Sequence, residues 1–221
     1  MPVEKDAYQK LVSQLETRNV KLVAVSKTKT IEEIKELYDL GQRDFGENYA
    51  QEMTGKYEAL PKDVRWHFIG HLQSNKVKII IPFVQLIQSV DSLKLLKEIN
   101  KQAEKINRVV DCLLQVHIAQ EETKFGFDEH ELESLIITNA NELKNVKICG
   151  LMGMATFTDD MDKVKMEFRS LKQLFDRLRT PNSGLRTLSI GMSSDYRVAI
   201  EEGSNMVRIG SLVFGEREKK D

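Results

Sequence analysis

The sequence predicts an α/β protein folded as a single (β/α)8 barrel of the TIM type, with an extra N-terminal helix. Three observations carry this. A chain of 221 residues has the size at which such barrels form one domain. Short apolar runs alternate with amphipathic helical patterns, which implies parallel strands joined by helices. Eight such runs can be counted, and eight close a barrel better than they fill an open doubly wound sheet. An open sheet would usually carry a Gly-rich nucleotide loop after its first strand, and Ser26-Lys27-Thr28 is not one.

Taken in order, Glu4 to Arg18 has Ala7, Tyr8, Leu11, Val12 and Leu15 at helical spacing, ahead of the first strand. Leu22 to Val25 is short, apolar and rich in β-branched residues, as suits a strand buried on both faces. A helix follows over Ile31 to Leu40, stopped by Gly41. Arg43 to Gly46 reads as the second strand and Tyr49 to Leu60 as its helix, ended by Pro61. Trp66 to Ile69 is the third strand, with a short helix from about Asn75. Phe83 to Val90 is the fourth, followed by a helix from Ser92, a candidate N-cap, to about Asn107. The fifth strand is Val109 to Ile118, with its helix over Asp128 to Asn139. The sixth is Val146 to Met152, and the longest helix, Asp160 to Leu178, carries Val164, Phe168, Leu171, Leu174, Phe175 and Leu178 on one stripe. Thr187 to Ile190 is strand seven, Asp195 to Glu202 a helix, and Met206 to Ile209 strand eight, the one strand without a clear helix after it. Residues 1–221 are read as one domain, with 1–19 as the N-terminal helical segment and 216–221 as a frayed tail.

Composition narrows the function classes. A net charge of -1 gives no electrostatic case for nucleic acid or an anionic membrane. No apolar run approaches a membrane span, and no signal-peptide pattern opens the chain. Cys112 and Cys149 lie in apolar strand-like runs, as free thiols do in a reducing compartment, so a cytoplasmic protein is expected.

In a barrel, active groups come from the C-terminal ends of strands. There the chain places Ser-Lys-Thr-Lys (26–29), Gly-Glu-Asn (46–48), His67 to Lys76, Ser-Val-Asp-Ser (89–92), His-Ile-Ala (117–119), Met-Gly-Met-Ala (152–155), Gly-Met-Ser-Ser-Asp (191–195) and Arg208 to Gly215. Lys27 shares the parity of Val23 and Val25, at the rim of an apolar interior. Such a position disfavours the charged amine, so its pKa is expected to fall and Lys27 becomes a candidate for Schiff-base chemistry. Taken alone, a lysine there is more ordinarily solvated. The loops after strands seven and eight, with Ser193, Ser194, Gly210 and Ser211, offer hydroxyls and N–H groups where this fold usually binds phosphate. Arg208, inside strand eight, needs a partner: a core carboxylate, or a ring nitrogen at the barrel mouth. Asn48 and His67 are expected near the mouth as hydrogen-bonding groups. His67 and His71 have no Cys cluster or evident third ligand beside them, so a metal is not expected. Lys124 is a second amine, more simply read as a solvated loop lysine. A reactive amine, a phosphate cradle and an apolar slot match the needs of pyridoxal 5′-phosphate.

Several stretches match a known pattern in the expected order. They are Val-Ala-Val-Ser-Lys-Thr-Lys (23–29), Phe-Gly-Glu-Asn-Tyr (45–49), Trp-His-Phe-Ile-Gly (66–70) and Leu-Gln-Ser-Asn-Lys (72–76), then Gly-Leu-Met (150–152), Leu-Ser-Ile-Gly-Met-Ser (188–193), Val-Arg-Ile-Gly (207–210) and Phe-Gly (214–215). Over nearly the whole chain these resemble the pyridoxal phosphate homeostasis proteins, the YggS/PROSC family. The resemblance implies a barrel like the N-terminal domain of alanine racemase and a Schiff base on Lys27. It implies phosphate contacts from Ser193, Ser194, Gly210 and Ser211, a ring-nitrogen contact from Arg208, and a lining of Asn48, Ile69 and Met192. His71 stands where many relatives have proline, and Tyr196 where a second acidic residue is common. The implied role is vitamin B6 and amino-acid balance without a known reaction, in a monomer that meets apo-enzymes transiently. Two alternatives compete: a pyridoxal-phosphate racemase, and a cofactor-free lyase using Lys27 on a phosphorylated sugar. Racemisation needs an acid/base group on each face of the cofactor, and the chain ends soon after Phe214-Gly215 without a stretch to build a covering β-domain, so turnover is not expected.

Overall fold

The computed structural model describes residues 3–118, 126–138, 143–181 and 183–215. Eight parallel strands follow one another in chain order around a closed barrel: β1 (Lys21–Val25), β2 (Asp44–Glu47), β3 (Arg65–Phe68), β4 (Leu86–Val90), β5 (Val110–Val116), β6 (Val146–Gly153), β7 (Thr187–Ser189) and β8 (Met206–Ile209). β8 pairs with β1 and closes the ring. The described helices are α1 (Lys5–Glu16), α2 (Ile31–Asp39), α3 (Ala50–Ala59), α4 (Val77–Ile80), α5 (Leu93–Glu104), α6 (Glu129–Thr138), α7 (Met161–Leu178), α8 (Tyr196–Glu201) and α9 (Ser211–Phe214). The alternating pattern read from sequence is therefore the barrel observed.

The elements form for local reasons. Thr30 opens α2 with a reciprocal capping box to Glu33, and Ser92 and Asp160 cap α5 and α7 through their side chains. Most boundaries shift by one to three residues, and two departures have an evident cause. β4 starts at Leu86, because Phe83 and Val84 donate main-chain bonds to the Ile80 carbonyl and finish α4, while the Phe83 ring stacks on Tyr57 at 4.1 Å. The last strand is followed by a helix after all, the short α9. Four residues cannot cover the seam between β8 and β1, and α1 packs on both α9 and β1 to complete the outer layer. Lys124 and the tail 216–221 lie outside the described residues.

Strand parity divides the apolar residues into two sets. Leu22 and Ala24 join the large core between strands and helices. Val23 instead meets Leu86, Leu113, Cys149, Met152 and Met206, from strands around the ring, inside the barrel. Cys112 and Cys149 are free and buried, and burial pushes the Cys149 thiol up to about 11 and that of Cys112 higher still. No described helix is long and apolar enough to cross a membrane.

β6 carries one extra residue at Cys149, since Cys112 pairs with Ile148 while Leu113 pairs with Gly150. Beside this bulge a Cβ on Gly150 would fall 1.8 Å from the Thr187 carbonyl oxygen of β7. Gly150→Ala must therefore pry β6 from β7. The expected loss is at least the upper end of the about 1–3 kcal/mol usual for overpacking, read as a lowered urea midpoint.

Candidate functional site

The strand ends converge at one rim of the barrel. Lys27 is half-buried, two residues past the end of β1, between fully buried Ser26 and exposed Thr28. Across the β1–β8 seam, a Cβ on Gly210 would lie 3.3 Å from the Val25 carbonyl oxygen. The Gly210 N–H donates to Ser193 Oγ at 3.3 Å, which ties the loop after β8 to the loop after β7. That second loop is shaped by Asp195, whose carboxylate accepts from the Met192 N–H at 2.5 Å. Gly191 (φ +100°) lets it turn, since a Cβ there would strike Ala199 at 2.7 Å. Ser194 and Ser211 are exposed at the rim. Ile69 lies over Gly46, where an added Cβ would meet it at 2.9 Å. Asn48 follows β2, its main chain against Gly70, and its side-chain oxygen is buried without a partner.

Beneath this rim the barrel interior is polar along one line. Arg208 is 4% exposed. Its guanidinium donates to the Ser189 carbonyl (2.8 Å), to Ser189 Oγ (2.6 Å) and to the Gly153 carbonyl (2.9 Å). An arginine only donates, so Ser189 Oγ must accept, and its own proton goes to Gln88 Oε1 at 2.7 Å. The Gln88 amide nitrogen then donates to His67 Nδ1 at 3.0 Å. His67 consequently carries its proton on Nε2, which faces Asp44 Oδ1 at 2.8 Å. Asp44 is held from the opposite end of the barrel by a two-pronged bond from Arg65 and by nearby Lys21. The polarity of every link follows from the fact that Arg208 has no lone pair to offer.

The charges fit this chain. Burial lowers the His67 pKa and Asp44 opposes it incompletely, so the ring stays neutral. Burial would raise Asp44, but bonds from His67 and Arg65 outweigh it and hold the carboxyl well below its usual range. Burial lowers Arg208 to about 10, which still leaves it charged at neutral pH. Arg208 has thus found carbonyls and a hydroxyl, with Asp195 acting on it only through its charge.

The mouth-facing hydrogen bond expected of His67 does not fit this geometry, because both its nitrogens are used inside the barrel. His71 pairs instead with Asp91, at 2.9 Å. Sequence reasoning missed Asp44, Gln88 and Ser189, and also Glu47 and Lys56. The first four are polar residue types inside strands that must be buried, whereas Lys56, on α3, carries no such signal. The residues at the rim suit a phosphorylated aromatic aldehyde. Among the described residues, the main-chain N–H groups of Ser193, Ser194 and Ser211 make no hydrogen bond, although they adjoin three hydroxyls. Asn48 keeps a buried polar atom to satisfy.

Two measurements check the interior chain. Nitrogen-15 NMR of the histidines should show His67 neutral, protonated on Nε2 and not on Nδ1, at pH 7. Asp44 has a depressed folded pKa, so the stability it contributes is complete above about pH 4, its unfolded value, and is lost as pH falls towards the folded pKa. The gap in unfolding free energy between wild type and Asp44→Asn should therefore narrow as pH drops from about 5 to about 2.

Comparison with known proteins places the chain by sequence and by fold. Residues 5–218 match the family described as alanine racemase, N-terminal domain. The pyridoxal phosphate homeostasis protein of Aquifex aeolicus is 47% identical over 200 residues, covering 90% of this chain and 87% of that one. Its namesake from Synechocystis is 39% identical over 213 residues, covering 95% and 97%. The structure of PipY from Synechococcus elongatus with PLP bound superposes with a TM-score of 0.87 at 34% identity, over 95% of this chain and 99% of that chain. Alanine racemase from Bartonella henselae shares the fold alone, with a TM-score of 0.72 at 16% identity over 96% of this chain and 59% of its own. By sequence along nearly its whole length, and by its barrel, the chain belongs to the pyridoxal phosphate homeostasis protein family.

Proposed function

We propose that this chain, as one cofactor-binding domain, holds pyridoxal 5′-phosphate at the barrel mouth and serves the intracellular balance of that cofactor by capture and release. The observation that carries this is the contiguity of three loops. Val25, which leads into the turn bearing Lys27, adjoins Gly210 across the β1–β8 seam, and Gly210 is bonded to Ser193, with buried Arg208 below. When bound, the cofactor supplies an aldehyde electrophile and a pyridine ring. Lys27 offers the amine. Ser193, Ser194 and Ser211, with their main-chain N–H groups and that of Gly210, supply donors for a dianion, and such charge-assisted bonds are about twice as strong as neutral ones. Asn48, Ile69 and Met192 border the ring. Arg208 donates to the ring nitrogen and so keeps it an acceptor, which weakens the ring as an electron sink. His67 acts one step away, by holding Gln88 and through it Ser189 under Arg208.

The relatives' names describe homeostasis and no reaction, which supports binding over turnover. Transient meetings with apo-enzymes, as a cytoplasmic monomer, complete the reading.

The test is the visible spectrum of purified protein with added pyridoxal 5′-phosphate, before and after borohydride, with the adduct located by mass spectrometry. A band that borohydride abolishes and an adduct on Lys27 are expected, both absent from Lys27→Ala. A full covalent band in Lys27→Ala would sink the assignment. Ser193→Ala with Ser211→Ala should weaken pyridoxal 5′-phosphate at least tenfold, about 1.4 kcal/mol, and leave unphosphorylated pyridoxal nearly unchanged. Equal loss for both would remove the phosphate cradle. Racemisation or keto-acid formation from single L-amino acids at ordinary enzyme rates, lost in Lys27→Ala, would replace binding by catalysis.

A further inference from the structure

Thr28 sits at φ +67°, a left-handed conformation that a β-branched residue avoids. Strain of this kind persists only where the surroundings impose it. Here the surroundings are two side chains of α3. Lys56 is 5% exposed, and its ammonium has three protons for three partners: the Ser26 carbonyl (2.7 Å), Glu47 Oε1 (2.8 Å) and Glu52 Oε1 (2.7 Å). The first partner belongs to a neighbour of Lys27, and each of the two carboxylates grips one. Glu47 Oε1 accepts from Ser26 Oγ at 2.5 Å, and Glu52 Oε1 accepts from the Thr28 N–H at 2.6 Å. The Lys29 N–H closes the same turn onto the Ser26 carbonyl at 3.0 Å. Glu47 is fully buried, and Lys56 is its ion-pair partner at 2.8 Å. Lys27 is thus the middle residue of a turn whose two flanking residues are both tied, directly or through one carboxylate, to a single buried ammonium.

We infer that Lys56, with Glu52, is a positioning residue that clamps the strained turn and so presents the Lys27 amine for covalent capture of an aldehyde. This rests on the proposed cofactor role of Lys27 and adds to it a device that separates linkage from binding. In the step served, the amine adds to the aldehyde carbon, the C=O bond is exchanged for C=N, and one water leaves with the carbonyl oxygen and both amine hydrogens. The phosphate donors lie on the loops after β7 and β8, and the clamped turn meets that segment where the Lys29 ammonium donates to the Phe214 carbonyl at 3.1 Å, at the far end of α9 from Ser211.

The experiment compares wild type, Lys56→Met and Glu52→Met, each alone and combined with Thr28→Gly. Pyridoxine 5′-phosphate, which has no aldehyde, reports non-covalent binding. Pyridoxal 5′-phosphate with borohydride trapping on Lys27 reports linkage. Both α3 variants should reduce linkage at least tenfold while changing pyridoxine 5′-phosphate affinity less than twofold. Thr28→Gly should restore most of the linkage, because glycine adopts a positive φ without being held. Equal loss for both ligands, undiminished linkage, or no restoration by Thr28→Gly would overturn the clamp. Should Lys56→Met not fold, Glu52→Met, which keeps the Lys56–Glu47 pair and removes the acceptor for the Thr28 N–H, decides alone. In the cofactor-free protein, amide exchange over residues 26–29 should quicken at least tenfold in Glu52→Met while the strands stay unchanged. Unchanged exchange there overturns the clamp whether or not any cofactor binds. A wild type without a trapped adduct on Lys27 would instead sink the cofactor reading, leaving exchange to judge the clamp.

Discussion

A barrel interior has no water to spare for polar groups, so each one placed there must be met by another. This constraint organises the molecule. Arg208 enters the interior from β8 as a pure donor, and the need to satisfy what it touches runs through Ser189, Gln88 and His67 until it ends on Asp44. Around that line the interior is filled by Val23, Leu86, Leu113, Met152 and Met206, which leave the chain one set of partners. The floor of the candidate site is rigid for this reason. Its key cation is held by carbonyls and a hydroxyl, and keeps its charge.

The second buried cation, Lys56, lies outside the barrel wall and orders a loop. The two systems divide the site. Arg208 with the loops after β7 and β8 forms the floor and one wall. Lys56 with α3 sets the turn that brings Lys27 to them. The two cations share no hydrogen-bonding partner among the described residues, and the systems meet where the Lys29 ammonium, in the clamped turn, donates to the Phe214 carbonyl of α9 at 3.1 Å.

The fold was legible because its signal is repetitive. Apolar runs such as Val110–Val116 and stripes such as Val164 to Leu178 declare their periods, and short errors at Phe83 or after β8 leave the strand count intact. The rim was legible because glycine and hydroxyl residues gather at strand ends, as at Gly191-Met-Ser-Ser and Gly210-Ser211. The supporting polar groups were not. Gln88 and Ser189 sit in strands where a side chain of either polarity satisfies the pattern, and only the closed ring shows that they meet across 101 positions of chain. The expectation that His67 faces the mouth rests on its place towards the end of a strand, but its ring turns down to Asp44. Lys56 looked like any helix lysine, since nothing in the period of α3 reveals that its outer turn covers Glu47.

The interior chain connects the two open ends of the barrel, yet it is not a path for protons. Its central link is the Gln88 amide, whose N–H is not acidic and whose nitrogen offers no basic lone pair. A proton taken up at Asp44 or His67 has no route onward to Ser189. What passes along the line is orientation, since turning any one dipole would force its neighbours to turn as well. The barrel core is in this sense an insulator that still transmits alignment, and the rim is shielded from acid–base events at the opposite face.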